Sequence, residues 1–346
     1  MQEFNFRQSL SPSWVRIEAP ARLHLGFMDL NGGLGRRYGS LGLALEGPFT
    51  RIQVERATTF QASGACGERA LGYAKRLFGV LDLDGGLRIQ VQRAIPQHAG
   101  LGSGTQLAVA VGVAIDRLHG LGLGARRIAY LQGRGARSGI GIGAFDGGGF
   151  MVDGGYGPGE DELPPVIVRM GFPEHWRVLL VFDTQVQGLY GRSERSAFEA
   201  LPGFEPRTAE RLCRLVMMQI LPALSRQDLR PFAQGIGELQ RVVGEYFTPA
   251  QGGCYTSAAV AQVLAWLQAQ GIEGLGQSSW GPTGFAVLDS EMRAFALLRE
   301  VQMRFGAQAG LRFAVLRARN RGATIEQTVP QGERRPSAEA GCRGLD

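Results

Sequence analysis

Pro96 to Gln106 reads Pro-Gln-His-Ala-Gly-Leu-Gly-Ser-Gly-Thr-Gln and runs directly into an apolar helical stretch. Closely spaced glycines let backbone N–H groups approach a phosphate, and a helix starting there adds unpaired donors and the positive end of its dipole. Gly100, Leu101, Gly102, Ser103, Gly104 and Thr105 are therefore predicted to bind phosphate or pyrophosphate. The loop is no Walker A sequence, since Gly-Lys-Ser/Thr is missing, and Gly100-x-Gly102-x-x ends on Thr105, short of a dinucleotide fingerprint. A tight turn without a ligand is the alternative. Ser103 with Gln106 fits a capping box at the helix start.

Such a loop needs rigid flanks. Leu107, Ala110, Val111, Ala114, Ile115 and Leu118 fall on one helical face, with Gly120 as a stop. Upstream, Trp14 to Ala19 alternates like a half-buried strand, Pro20 interrupts it, and Arg22 to Phe27 alternates again into the turn-rich Asp29 to Arg36. Strands are predicted at Phe49–Glu55 and Gly86–Ala94, with a helix at Glu68–Phe78 between them. A helix at Ala125–Gln132 precedes a glycine cluster, Gly133 to Gly155. Gly154 to Pro165, acidic and with paired prolines, reads as a linker or exposed hairpin and as the domain boundary. The second half reads strand Trp176–Asp183, helices Ala209–Leu224, Asp228–Val243 and Ser257–Gln270, strand Gly284–Leu288, helix Ser290–Arg304 and strand Leu311–Arg317. That order is α+β, with domains at 14–165 and 172–318 and with 1–13 and 331–346 expected to be mobile ends.

Composition narrows the classes. The 346 residues are 44% hydrophobic and 20% charged, enough apolar mass for two ordinary domains. Glycine, at 52 residues, is roughly twice as frequent as usual without a triplet period, which suggests backbone-lined loops. The longest apolar stretch, Leu107 to Ile115, is too short to span a bilayer, and Glu3 and Arg7 do not make a signal-peptide core, so a cytoplasmic location is expected. Cys66, Cys213, Cys254 and Cys342 are scattered, against a zinc site or a disulfide framework. The net charge is +6, yet Lys75 is the only lysine and the arginines are dispersed, so small anions are expected as partners and nucleic acid is not.

Three segments in combination resemble the ordered motifs of the galactokinase, homoserine kinase, mevalonate kinase and phosphomevalonate kinase (GHMP) superfamily: Pro20 to Gly26, Pro96 to Thr105 and Gly281 to Gly284. The resemblance implies an α+β, two-domain GHMP-kinase-like fold, its first half like ribosomal protein S5 domain 2 and its second half ferredoxin-like, with the ligand in the cleft. Many kinases of this superfamily carry a catalytic Asp after a Ser-Gly-aliphatic step. Here that stretch is Ser138-Gly-Ile-Gly141, and glycine can neither accept a proton nor orient a hydroxyl. Asp146, five residues on, is not assumed to replace it. The departures resemble one branch, the beta-ribofuranosylaminobenzene 5'-phosphate synthases of methanopterin biosynthesis. That likeness is carried by Ala21 to Asp29, Asn31 to Arg36, Gly100 to Gln106, Arg137 to Phe145 and Gln277 to Thr283.

The resemblance implies a pentosyltransferase that condenses phosphoribosyl pyrophosphate with 4-hydroxybenzoate or 4-aminobenzoate, losing pyrophosphate and carbon dioxide. On that reading Arg22, His24 and Asp29 are the catalytic candidates, with Arg36 and Arg137 beside the glycine loop as phosphate ligands. Ser278, Ser279, Trp280 and Thr283 are the substrate-binding candidates. Each has a plainer alternative: a surface ion pair for Arg22, a hydrogen bond at the core edge for His24, a turn cap for Asp29, and satisfied backbone groups for the serines and threonine. His98 is open to a structural role, and His119 and His175 are read as structural. Mg2+ is expected through pyrophosphate, with no metal ligand assigned. The expected partners are small molecules, without nucleic acid or membrane, and a homodimer is kept open. The rivals are an ATP-dependent small-molecule kinase and a non-catalytic ligand sensor.

Overall fold

Two long strands carry the first motif. The computed structural model describes residues 12–157, 163–188, 196–198 and 200–328. Within them β1 (Trp14–Asp29) and β2 (Tyr38–Ala57) form one antiparallel hairpin. Pro20 does not interrupt β1, contrary to the reading from sequence: it pairs with Phe49, and the register shifts between Pro20 and Arg22. A bulge tolerates the missing N–H. The first sheet is ordered β11-β1-β2-β4-β3, from β3 (Gln61–Gly64), β4 (Gly86–Arg93) and β11 (Thr324–Gln327), and β5 (Phe150–Asp153) pairs with β2 and with β6 (Val166–Met170).

Helices α1 (Gly67–Leu81), α2 (Ser103–His119), α3 (Gly124–Leu131) and α4 (Ile140–Asp146) cover this sheet. α2 is the central one. It is buried on nearly every side, so its run of Leu, Val, Ala and Ile extends beyond a single stripe. The expected capping box is absent: the N-cap is Gly102 in the left-handed region, no side chain caps it, and the Gln106 amide donates instead to the Gly141 carbonyl at 2.6 Å. The Gly133 to Gly155 glycine cluster contains α4 and β5, both short.

The second sheet is antiparallel, ordered β10-β7-β9-β8, from β7 (Arg177–Asp183), β8 (Leu275–Gln277), β9 (Gly284–Leu288) and β10 (Leu311–Leu316). In chain order that is 4-1-3-2, the ferredoxin-like arrangement. Between β7 and β8 run α5 (Pro206–Leu215), a π turn at Val216–Ile220, α6 (Leu221–Ser225), α7 (Leu229–Gln251) and α8 (Ala258–Ala269), and α9 (Glu291–Phe305) joins β9 to β10. The main core packs Leu23, Leu25 and Leu43 against Phe232, Ile236 and Leu239 of α7, so one apolar body joins the two sheets.

Sheet membership crosses the expected boundary. β6 follows the 154–165 segment yet pairs with β5, and β11 returns to β1 after the second sheet is complete. The return is anchored by Arg319, 1% exposed, which donates to Glu18 and Glu46 and to the Thr324 hydroxyl. Ser13, placed among the mobile ends by sequence, is held by Thr328 through its backbone N–H at 2.9 Å. The rest of those expected ends, 1–11 and 331–346, lies outside the described residues.

Candidate active site

The glycine loop is built by backbone lying on backbone. Gly100 and Gly102 both have positive φ, 77° and 83°. A Cβ at Gly100 would stand 2.2 Å from the Ser278 carbonyl oxygen and 3.0 Å from the Gly281 Cα, so only glycine fits this crossing. The third motif therefore supports the loop from beneath. Ser278, fully buried, accepts from the His24 N–H at 3.0 Å and donates to the Gly100 carbonyl at 2.8 Å. The same carbonyl takes a hydrogen bond from Arg22 Nη1, and the Arg22 N–H donates to the Leu101 carbonyl at 3.2 Å. One hydroxyl and one guanidinium thus knit all three motifs together. Above them the first turn of α2 leaves the N–H groups of Ser103, Gly104 and Thr105 without intrahelical acceptors.

Arg22 packs along Gly102, its Cζ 3.4 Å from where a Cβ would be. His24 follows on the same strand face and is 3% exposed, with its ring against Phe27 at 4.6 Å. Burial, then the nearby Arg22 and Arg137 guanidinium groups, push its pKa down to about 3. His24 is therefore neutral at physiological pH and has no proton to give as a general acid. Among the described residues, neither of its ring nitrogens has a hydrogen-bond partner. It borders a small cavity of about 20 Å³ with Gln240, Gln277 and Trp280, room for one water.

The depressed His24 pKa makes a stability prediction. The unfolded chain takes up a proton near pH 6.5 and the folded chain does so only near pH 3, so folding stability is lost as pH falls through that window. A slope of roughly one kcal/mol per pH unit is expected from this group. Urea unfolding midpoints of wild type and His24→Asn between pH 7 and pH 5 check it, and equal slopes for the two proteins would remove His24 as the cause.

Not every candidate meets at the loop. Arg137 lies over the Phe198 ring at 5.0 Å and acts electrostatically on His24, which places it on the His24 side. Arg36 instead sits on the Gly154–Gly155 turn, donating to both carbonyls at 2.8 Å. Asp29 caps its own turn, accepting from the Asn31 and Gly32 N–H groups at 2.8 and 2.9 Å. Seven residues of strand separate it from Arg22, roughly 20 Å of extended chain, so Asp29 does not flank the loop. Trp280, 3% exposed, is packed against Phe247 at 4.4 Å and Phe198 at 5.3 Å. Ser279 takes a left-handed conformation and donates its N–H to the His24 carbonyl at 3.2 Å. The Thr283 carbonyl accepts from the Ser278 N–H, and Thr283 borders a cavity of about 780 Å³ that also touches Pro96, Gln97 and Ala99. His98, in the loop, has positive φ and accepts from the Gly188 N–H through its carbonyl.

Gly141 lies against the loop, where a Cβ would be 3.0 Å from the Thr105 Cγ2. Asp153 fixes that approach: its buried carboxylate accepts from the Ser138 hydroxyl and the Gly139 N–H at the start of α4, and from Ser40 and Gly155. Asp146 ends α4, five residues beyond Gly141, and burial raises its carboxyl pKa against the lowering by Arg169 and Arg126. It does not replace the missing carboxylate. Residues that sequence reasoning missed, Arg69 and Arg134, flank Gly104: its Cβ would be 2.9 Å from Arg69 Nη2 and 3.7 Å from Arg134 Nη1.

These two halves, with a bare helix start between them, define a protein of the GHMP class. Residues 68–150 match the family model of the GHMP kinases N terminal domain, and 220–307 match GHMP kinases C terminal. Solved structures with this fold include homoserine kinase from Cytophaga hutchinsonii, TM-score 0.60 at 17% identity over 94% of this chain and 99% of that one. Another is mevalonate diphosphate decarboxylase from Staphylococcus aureus, TM-score 0.63 at 15% identity over 91% and 98%. At such identities the likeness establishes the fold alone.

Sequence relatives go further. Beta-ribofuranosylphenol 5'-phosphate synthase from Archaeoglobus fulgidus is 34% identical over 90% of this chain and 99% of the relative. The protein of the same name from Methanothermobacter thermautotrophicus is 31% identical over 89% and 97%. The chain belongs to the beta-ribofuranosylphenol 5'-phosphate synthase family, and is an enzyme of the pentosyl-transferring class.

Proposed function

We propose that the enzyme joins C1 of phosphoribosyl pyrophosphate to the ring carbon of 4-hydroxybenzoate that bears the carboxylate, releasing pyrophosphate and carbon dioxide in a route to tetrahydromethanopterin. The relatives' name, with phenol in it, supports the hydroxybenzoate over the aminobenzoate. The observation that carries the reading is the pairing of a bare, arginine-flanked helix start with a glycine where a phosphoryl-transfer enzyme would hold its base.

The bond changes require little proton transfer. As the C1–O bond to pyrophosphate breaks, the leaving group gains charge, which the loop N–H groups and Arg22 are disposed to stabilise. The electron-rich ring attacks C1, and the C–C bond to the carboxylate then breaks, its electron pair restoring the aromatic ring. Carbon dioxide departs where a proton otherwise would, so this step needs no general base. A neutral His24 and a glycine at 141 are compatible with that chemistry. Among the described residues no cluster of three His, Cys, Asp or Glu side chains could hold a metal ion. A Mg2+, which prefers phosphate oxygens and retained waters, would be held by the pyrophosphate and supply charge neutralisation to the leaving group.

Purified protein incubated with Mg2+, phosphoribosyl pyrophosphate and each benzoate is expected to release pyrophosphate and carbon dioxide in equal amounts, faster with 4-hydroxybenzoate. ATP-dependent phosphorylation of an alcohol, with neither product released from the benzoates, would overturn the reading.

A further inference from the structure

On the side of the α2 start away from Arg22, the structure gathers positive charge without its complement. Arg69 is on the first turn of α1 and Tyr73 one turn later; Arg134 comes from the segment after α3. The Tyr73 hydroxyl accepts from Arg69 Nη2 at 3.4 Å and also from Arg134 Nη2, and Arg134 lies over the Tyr73 ring at 5.1 Å. Arg69 is fixed further by Gln97, whose side-chain oxygen takes Nη1 at 2.8 Å. Among the described residues neither guanidinium is ion-paired with a carboxylate; their partners are the neutral Tyr73 and Gln97. Two like charges share one hydroxyl beside the positive end of a helix, an arrangement that repels itself until an anion arrives.

We infer that Arg69 and Arg134 form an anion subsite for one of the two terminal phosphates of the donor, across the first turn of α2 from Arg22. This rests on the donor reading above. Both guanidinium groups bring a terminal nitrogen close to Gly104, and a phosphate dianion suits them because each can supply charge-assisted hydrogen bonds. With no side chain at Gly104, both guanidinium groups come close to the first turn of α2, Arg69 Nη2 and Arg134 Nη1 lying 2.9 and 3.7 Å from where a Cβ would stand. Such an anion is the outer phosphate of the pyrophosphate or the 5'-phosphate of the sugar; both are dianionic ends of one molecule.

Calorimetric titration of the whole protein with inorganic pyrophosphate and, separately, with ribose 5-phosphate distinguishes the two. Arg69→Gln and Arg134→Gln are each expected to weaken one probe by roughly 10- to 100-fold, as for the loss of a charge-assisted bond, and to leave the other near its wild-type value. The probe affected identifies the end of the donor. Arg134→Lys, which keeps the charge and loses the fork, is expected to be intermediate. Unchanged affinity for both probes in variants with wild-type melting temperature would overturn the subsite while leaving the donor reading intact. Wild-type protein that binds neither probe would overturn both.

Discussion

Gly102→Val is expected to weaken binding of phosphoribosyl pyrophosphate by about 100-fold while leaving far-UV helicity near that of wild type. Gly102 is the N-cap of α2 with φ 83°, a conformation that costs a side-chain-bearing residue about 1–2 kcal/mol and a β-branched one more. The new methyl groups would meet Arg22, whose Cγ and Cζ already lie 3.3 and 3.4 Å from the Cβ position. Relief of that crowding turns the N–H groups of the first turn and moves the Arg22 guanidinium from its place beside them. Loss of one or two charge-assisted hydrogen bonds on top of the strain amounts to roughly 3 kcal/mol, about 100-fold in affinity. The helix itself survives, because α2 is held by its buried Leu, Val and Ala side chains. Affinity equal to wild type in a folded variant would show the loop to be only a turn.

The motifs were legible because each has a local signature. Glycine spacing before an apolar 3.6-residue period identifies a loop feeding a helix, and the second motif folds accordingly. What was not legible came from long-range geometry. Arg69 and Tyr73 lie within the predicted Glu68–Phe78 helix with nothing in their spacing to single them out; it is Arg134, 61 residues from Tyr73, that joins them beside Gly104. Ser278 and Trp280 were seen as ligand groups, yet the first is the hydroxyl that binds three motifs together and the second is a core aromatic. The capping box failed for a related reason: a buried helix gives Gln106 a better acceptor, the Gly141 carbonyl, than its own N-terminus. β8 and β11 are only three and four residues long, too short to show a period, and both exist because a longer strand offers them an edge.

Asp29 and Arg36 illustrate the same limit from the other side. Their nearness in sequence to Arg22 and His24 suggests one site, but an extended strand carries residues apart at about 3.3 Å each. The structure sets Arg22 and His24 at the glycine loop and ties Asp29 and Arg36 to turns at the far end of the hairpin. Arg36 still bears on α4, since it grips the turn that follows Asp153, and Asp153 holds Ser138 and Gly139. Proximity in sequence along a strand therefore separates functions that the same spacing on a helix would bring together.

Gly141→Asp tests whether the missing carboxylate marks a kinase that has lost its base or a site built for another reaction. In a drifted kinase the new carboxylate would stand beside the acceptor hydroxyl and raise phosphoryl transfer from ATP. The geometry argues the other outcome. Gly141 faces Thr105, so the introduced carboxylate would lie within reach of the uncapped first turn of α2, where N–H groups and the helix dipole attract negative charge. There it would compete with pyrophosphate for the same donors and repel it, a like-charge cost on the order of a few kcal/mol at contact distance in a site of reduced dielectric. The kcat/KM for the pyrophosphate donor is expected to fall by roughly 100-fold, through a higher KM for that donor more than for the benzoate, with no gain in ATP use. The Cβ would press on Thr105 at 3.0 Å, so melting temperature must be read alongside to show that the variant is folded. Initial rates of carbon dioxide release and of ATP consumption, measured side by side for wild type and variant, decide between them: ATP consumption that rises together with a phosphorylated product would overturn the synthase assignment for this site.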